Sequence, residues 1–124
     1  MKTKKANPVI MAVDDSPAVL KAVSSVLSAT YRVFTLSKPA DLERILNRIE
    51  PDLFLLDYKL PNINGHDLIP LIRGVEDHQE TPIILLASAG SIDNVPAAAK
   101  LGACDVIGKP FIADVLREKV ARHI

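Results

Sequence analysis

Short apolar runs alternate with longer amphipathic segments along the whole chain. Runs of this kind favour strands, and those that are apolar at every position favour strands buried on both faces. The predicted strands lie at 9–13, 31–36, 53–56, 83–86 and 105–107. In the segments that follow, apolar residues recur at intervals of three and four, as at Leu42, Ile45, Leu46 and Ile49, which predicts one buried helical face. Five strands that alternate with five helices are typical of a parallel sheet with crossover helices.

Local signals mark where the predicted helices begin and end. Ser16 is a favourable N-cap for the first helix, and Pro17 suits the first helical position. Ser37 is expected to cap the second helix. The fourth helix is centred on Ala97–Ala99, and Gly102 lies where a residue in the left-handed conformation would end it.

Composition restricts the possible functions. The 124 residues predict one domain over 1–124, with a basic N-terminal tail at 1–7. Lys and Arg number 15, as do Asp and Glu, and a zero net charge argues against a nucleic-acid module. The apolar runs are too short for a membrane span or a signal peptide. A single cysteine, Cys104, excludes an intrachain disulfide and fits a cytoplasmic protein.

Charged residues follow three of the predicted strands. Asp14 and Asp15 follow the first strand, Asp57 the third and Lys109 the fifth. Parallel strands end at one edge of their sheet, and ligands of open α/β sheets bind there. Three carboxylates brought together at this edge are unfavourable unless a cation compensates them, and Mg²⁺ prefers such oxygen ligands.

These residue types also allow covalent chemistry with a phosphoryl group. A carboxylate can act as a nucleophile and form an aspartyl phosphate. Asp57 is the best nucleophile candidate because it stands alone at the end of the most buried strand. Asp14 and Asp15 are the better metal ligands, and Lys109 would place a compact positive charge on a phosphoryl oxygen.

Each residue alone also has a simpler structural interpretation. Asp15 is an ordinary helix-cap type, and Asp57 and Lys109 are ordinary residues of turns and loops. Their joint occurrence at the ends of three strands favours the functional interpretation.

The arrangement resembles the receiver domain of two-component response regulators, especially the stand-alone receivers of the chemotaxis type. The resemblance runs from Pro8 to His123. The residues on which the resemblance rests are Asp14-Asp15, the stretch from Asp57 to Gly65, Gly102-Ala103 and Lys109-Pro110-Phe111.

The resemblance implies a flavodoxin-like fold, a (βα)5 doubly wound five-stranded parallel sheet. It also implies that Asp57 accepts a phosphoryl group from the phosphohistidine of a sensor histidine kinase or phosphotransfer protein, or from a small phosphodonor. Asp14, Asp15, Asp57 and the backbone carbonyl of Lys59 would surround Mg²⁺. Lys109 would contact the phosphoryl group, and Lys109-Pro110 would be a cis bond. Such a domain is a switch rather than an enzyme; its downstream protein target is unknown.

Two positions depart from the family pattern. The family has Thr or Ser at the end of the fourth strand, where this chain has Ala87; its hydroxyl comes one residue later, at Ser88. Because successive strand residues face opposite ways, Ser88 is not expected to substitute unless the strand slips or bulges. Val106 occupies a place where the family often has an aromatic residue. We therefore expect Asp57 chemistry with an altered conformational readout.

Other interpretations remain open. Ala87 and Val106 favour a phosphorylation-independent pseudo-receiver that acts as an interaction module. A small aspartyl phosphatase is disfavoured because Lys59 stands where its second Asp would be, and a flavin site because the first strand is followed by acidic residues. His66, His78 and His123 are expected to be solvated, Cys104 to be a packing residue, and Lys59 to tune the lifetime of the phosphoryl group.

Overall fold

The computed structural model describes residues 7–60, 63–88, 96, 99, 100 and 102–124. In chain order the strands are β1 (Val9–Val13), β2 (Arg32–Leu36), β3 (Leu53–Asp57), β4 (Lys59–Leu60), β5 (Ile63–Asn64), β6 (Ile83–Ser88) and β7 (Asp105–Lys109). Five of them form one parallel sheet in the order β2-β1-β3-β6-β7, and the two-residue strands β4 and β5 pair antiparallel with each other. The predicted doubly wound parallel sheet is confirmed; the β4–β5 pair was not predicted.

The helices in the described residues are α1 (Pro17–Leu27), α2 (Leu42–Ile45), α3 (Gly65–Arg73) and α4 (Ala113–His123), with 3₁₀ turns at Pro39–Asp41 and Glu76–His78. The helix predicted around Ala97–Ala99 lies largely outside the described residues; positions 96, 99 and 100 are helical. Gly102 follows with φ +123°, as its predicted left-handed role requires.

The two helix-start predictions had different outcomes. Ser16 caps α1 as predicted, because its Oγ accepts a hydrogen bond from the Val19 N–H at 3.3 Å. The Ser37 cap is wrong. A 3₁₀ turn begins at Pro39 after Lys38, which makes no side-chain capping bond.

The second helix is also shorter than its apolar stripe predicted. It ends at Ile45, and the following turn includes a bond from the Arg48 N–H to the Ile45 carbonyl at 2.9 Å. Ile45, Leu46 and Ile49 nevertheless pack against the core. The stripe therefore identified the buried side chains correctly, while the backbone that carries them is only partly α-helical.

Strand residues alternate between two separate apolar clusters. We define the α1 face as the side of the sheet covered by α1 and α4, and the α3 face as the side covered by α2 and α3. On β3, Leu53 and Leu55 belong to the α1 face, whereas Phe54 and Leu56 belong to the α3 face. All four are fully buried, which explains why this strand is apolar throughout.

The direction of strand order reverses between β1 and β3. β1 pairs with β2 on one side and with β3 on the other, so successive crossovers run to opposite sides of the sheet. A crevice at the carboxyl ends of these two strands is the usual ligand position in such sheets. The residues there are Asp14 and Asp57.

Candidate functional site

Three carboxylates meet at this edge of the sheet. Asp14, Asp15 and Asp57 each offer a carboxylate oxygen, and these oxygens lie within 4.8 Å of one another. Asp14 is fully buried and Asp57 is 4% exposed, while Asp15 is exposed. The structure thus brings together the three acidic residues that were predicted from sequence positions more than 40 residues apart.

Lys109 completes the cluster from the end of β7. Its Nζ donates a hydrogen bond to Asp57 Oδ1 at 2.8 Å and to Asp14 Oδ2 at 3.2 Å. The following Lys109–Pro110 peptide bond is cis, as the resemblance implied. One ammonium is therefore shared by the two buried carboxylates.

The backbone holds both buried carboxylates in place. The Asp14 N–H donates to the Leu36 carbonyl at 3.1 Å, which extends the β1–β2 ladder by one residue. The Asp14 side chain accepts a hydrogen bond from the Ser16 N–H at 2.9 Å, so the start of α1 orients it. Beyond Asp57, the Tyr58 N–H donates to the Leu86 carbonyl at 2.8 Å and keeps the end of β3 in the sheet.

Burial and neighbouring charges shift the pKa values of Asp57 and Lys109. Burial raises the pKa of the Asp57 carboxyl and the Asp14 charge adds to this rise, while hydrogen bonds from Lys109 and from the Lys59 N–H only partly oppose it. Burial alone would lower the pKa of Lys109, but its bond to Asp57 and the nearby Asp14 raise that pKa overall.

The donor set is suited to a hard divalent cation. Three carboxylates and one ammonium leave a formal charge of two minus at a partly buried site, and all the anionic donors are oxygens. Mg²⁺ takes one or two carboxylates together with water and phosphoryl oxygens. The residues therefore fit a magnesium site that keeps positions open for a phosphoryl group. The Lys59 carbonyl as a further ligand stays a prediction.

The last two residues of β6, Ala87 and Ser88, lie on opposite faces of the sheet. Ala87 is fully buried in the core of the α3 face, with Val106 packed against the same core. The pairing of β6 with β7 advances one residue at a time to Ala87 with Gly108 and Ser88 with Lys109, so the strand neither slips nor bulges. Ser88, which is exposed, therefore lies on the α1 face. Asp57 and Lys109 each come two residues after a residue of the α1 face on their own strand, so by alternation they lie on that face. Ser88 therefore shares their face.

Sequence reasoning missed the charges at the opposite edge of the sheet. Arg73 donates from Nη1 to the carbonyls of His78 and Thr81, at 2.8 and 2.7 Å, and from Nη2 to the Gly102 carbonyl at 2.9 Å. Asp105 is bonded to Lys119 Nζ at 2.9 Å. Both groups connect segments that are distant in sequence, and no local motif predicts such contacts.

Two surface predictions were wrong. His78 is 2% exposed rather than solvated; its Nδ1 is 2.9 Å from Thr81 Oγ1, and its ring packs edge-on against Phe54. Cys104 is exposed rather than packed. His123 is half-buried and contacts Asp105 at 3.0 Å. The side chain of His66 lies outside the described part of the structure.

Comparison with known proteins gives one family. The family model "Response regulator receiver domain" matches residues 10–121. The chain is 32% identical to the response regulator protein FleR of Pseudomonas aeruginosa, over 92% of the chain and 24% of that protein. It is 25% identical to the sporulation initiation phosphotransferase F of Bacillus subtilis, over 95% of the chain and 94% of that protein.

A solved structure shows the same architecture. The Vibrio cholerae chemotaxis protein CheY4 superposes with a TM-score of 0.89 at 25% identity, covering 96% of this chain and all of that one. Several curated relatives are much longer, and the chain spans 24% of FleR and 51% of the transcriptional regulatory protein PrrA of Mycobacterium leprae. In the described residues, no helix is long and apolar enough to cross a bilayer.

Proposed function

Because this chain belongs to the response regulator receiver domains, we propose that it accepts a phosphoryl group on Asp57 from the phosphohistidine of a histidine kinase or phosphotransfer protein. The observation that carries the proposal is the surroundings of Asp57. Its carboxylate lies at a strand end, with an ammonium at 2.8 Å and two more carboxylates within 4.8 Å. This combination suits phosphoryl transfer to a carboxylate rather than a purely structural ion pair.

The transfer is a simple displacement at phosphorus. A carboxylate oxygen of Asp57 attacks the phosphorus, and a new O–P bond forms. The N–P bond of the donor phosphohistidine breaks, its electron pair stays on the imidazole nitrogen, and that nitrogen takes up a proton from solvent. With a small acyl phosphate as donor, the bond that breaks is the O–P bond, and the carboxylate leaves.

Lys109 is expected to bind the phosphoryl group during and after transfer. Its Nζ already lies 2.8 Å from the oxygen Asp57 Oδ1. A compact ammonium in a partly buried site stabilises the charge of the transferring group more strongly than it would in water. Lys109 also keeps Asp57 and Asp14 together while no phosphoryl group is present.

Asp14, Asp15, Asp57 and the Lys59 carbonyl would hold Mg²⁺. The bound cation would neutralise the excess carboxylate charge and the charge of the phosphoryl oxygens. The fit rests on the surplus negative charge of the cluster and on its oxygen donors.

We also propose that the conformational readout is weaker than in ordinary receivers or runs differently. A phosphoryl group shifts a conformational equilibrium only if its contacts differ between the two states. Ala87 has no hydroxyl to make such a contact, and Val106 is smaller than the aromatic residue it replaces. Small amide NMR shifts at 87 and 106 upon addition of beryllofluoride and Mg²⁺ are expected. Shifts as large as those of an ordinary receiver would contradict this.

Position 59 is proposed to tune the lifetime of the phosphoryl group. Lys59 follows Asp57 by two residues and is exposed, so its charge can reach a phosphoryl group and the water that hydrolyses it. We expect the Lys59→Asn protein to lose its phosphoryl group at a clearly different rate. Identical decay curves for the two proteins would remove the claim.

The direct test of phosphoryl acceptance uses acetyl phosphate and Mg²⁺. Intact-mass measurement is expected to show one added phosphoryl group on the wild-type protein and none on Asp57→Ala. No addition to folded wild-type protein would favour the alternative function, a phosphorylation-independent interaction module, which Ala87 and Val106 support. For either function we propose a cytoplasmic protein that contacts other signalling proteins rather than nucleic acid or a membrane.

A further inference from the structure

Ser88 is the hydroxyl-bearing residue at the carboxyl end of β6. It is exposed, and no hydrogen bond to another described residue occupies its Oγ. It pairs laterally with Lys109, whose Nζ contacts Asp57. Ser88 therefore lies next to Lys109 in the sheet. It is one strand away from Asp57, the carboxylate that we propose as phosphoryl acceptor.

The alternation of β6 decides which of its last two residues faces the site. Ala87 packs in the core of the α3 face, while the preceding Leu86 packs on the α1 face. Ser88 thus returns to the α1 face. The reversal of side-chain direction between Ala87 and Ser88 therefore puts Ser88 on the face of the sheet that Asp57 and Lys109 share.

Register sets the distance between Ser88 and Asp57. Asp57 pairs with Leu86, so Ser88 lies two residues further along the neighbouring strand. Strand geometry then separates the two α carbons by about 8 Å. A phosphoryl group on the Asp57 carboxylate extends two bonds beyond it and presents three acceptor oxygens, which can fill this gap.

We propose that Ser88 Oγ donates a hydrogen bond to the phosphoryl group on Asp57, an assignment that rests on Asp57 accepting that group. The contact would come from the α1 face, so it would not require Ala87 to leave the core of the α3 face. Ser88 would thus stabilise the phosphoryl group without moving the α3 face, in agreement with a weakened readout.

The test compares Ser88→Ala with Ser88→Thr, which keeps the hydroxyl. Ser25→Ala is the matched control, because Ser25 is an exposed hydroxyl residue in the interior of α1. With acetyl phosphate and Mg²⁺, we expect Ser88→Ala to be phosphorylated about tenfold more slowly, as for the loss of one bond to a charged group. Ser88→Thr and Ser25→Ala should stay within about twofold of wild type.

A spectroscopic measurement separates direct contact from an indirect structural effect. In the ¹⁹F spectrum of the beryllofluoride complex, Ser88→Ala should shift a fluorine resonance that Ser25→Ala leaves in place. Circular dichroism checks that Ser88→Ala is folded.

The outcomes distinguish this inference from the proposed function. If wild-type protein takes up no phosphoryl group, both fail. If wild type is phosphorylated and Ser88→Ala matches it in rate and in its ¹⁹F spectrum, only the role of Ser88 is overturned.

Discussion

Two aspartates in this protein each accept a hydrogen bond from a lysine, yet their pKa values move in opposite directions. Asp57 receives its bond from Lys109 at 2.8 Å, and Asp105 from Lys119 at 2.9 Å. Burial raises the pKa of Asp57, and its one ammonium is shared with Asp14. Burial also acts to raise the pKa of Asp105, but bonds from Lys119, His123 and the Val106 N–H outweigh it and bring that pKa to about 2.

The comparison shows that a nearby lysine does not by itself define the role of a carboxylate. Asp105 begins β7, and its negative charge is compensated by hydrogen-bonded partners on α4. These bonds anchor α4 to the sheet. Lys109 ends the same strand, where its one ammonium faces a cluster of three carboxylates. A stable ion pair has its charges balanced, whereas a site for a cation and a phosphoryl group keeps a surplus that the ligand removes.

Removing each lysine should separate the two regions most clearly. Lys109→Met leaves two buried carboxylates without their ammonium and should lower the free energy of unfolding by about 3 kcal/mol or more, measured with urea in a chelator. Lys119→Met leaves Asp105 with its other partners and should cost about 1 kcal/mol. Equal losses for the two variants would contradict the contrast.

Magnesium should stabilise only the region with surplus charge. At about 100 times its Kd, Mg²⁺ should raise the free energy of unfolding of wild type by about 2.7 kcal/mol. Asp14→Asn should lose most of this gain, and Asp105→Asn should keep all of it. Thermal unfolding with and without Mg²⁺ provides the measurement. A gain that survives in Asp14→Asn would place the ion elsewhere.

Asp105 should stabilise the fold in a pH-dependent way. Its pKa is depressed from 3.8 to about 2 in the folded protein, so its contribution is complete above about pH 4 and disappears as the pH falls to about 2. At pH 7, Asp105→Asn should therefore cost at most about 2 kcal/mol. Urea titrations at pH 7 and pH 2 should show the difference from wild type vanish at the lower pH. A constant difference would show that the charge of Asp105 is not the cause.

The smallest effect should have the opposite sign. Asp57→Asn removes one of two buried like charges and leaves Lys109 paired with Asp14, so in a chelator it should stabilise the protein by about 1 kcal/mol. The same urea titration with Asp105→Asn serves as the control. A destabilised Asp57→Asn protein would show that the surplus of negative charge has been overestimated.

Much of the fold could be predicted because its signals are local. Fully apolar runs identified the strands of the parallel sheet, and Ser16-Pro17 identified the start of α1. The acidic cluster was predictable because the ends of parallel strands share one edge. The length of α2 was not, because the side chains of Leu46 and Ile49 pack as predicted while the backbone leaves the α-helical conformation.

The remaining features depend on tertiary contacts. The burial of His78 and the bonds of Arg73 join segments that lie apart in sequence, so no spacing indicates them. The orientation of Ser88 required the packing of Ala87 and Leu86 in opposite cores, because alternation fixes only relative directions.

The most direct test of the central claim is to locate the phosphoryl group chemically. Wild-type protein treated with acetyl phosphate and Mg²⁺ is reduced with borohydride, which converts an acyl phosphate of aspartate to homoserine, and peptides are sequenced by tandem mass spectrometry. We predict homoserine at position 57 and at neither 14 nor 15. Homoserine at Asp14 or the exposed Asp15, or at no position, would contradict the assignment of Asp57 as the phosphoryl acceptor.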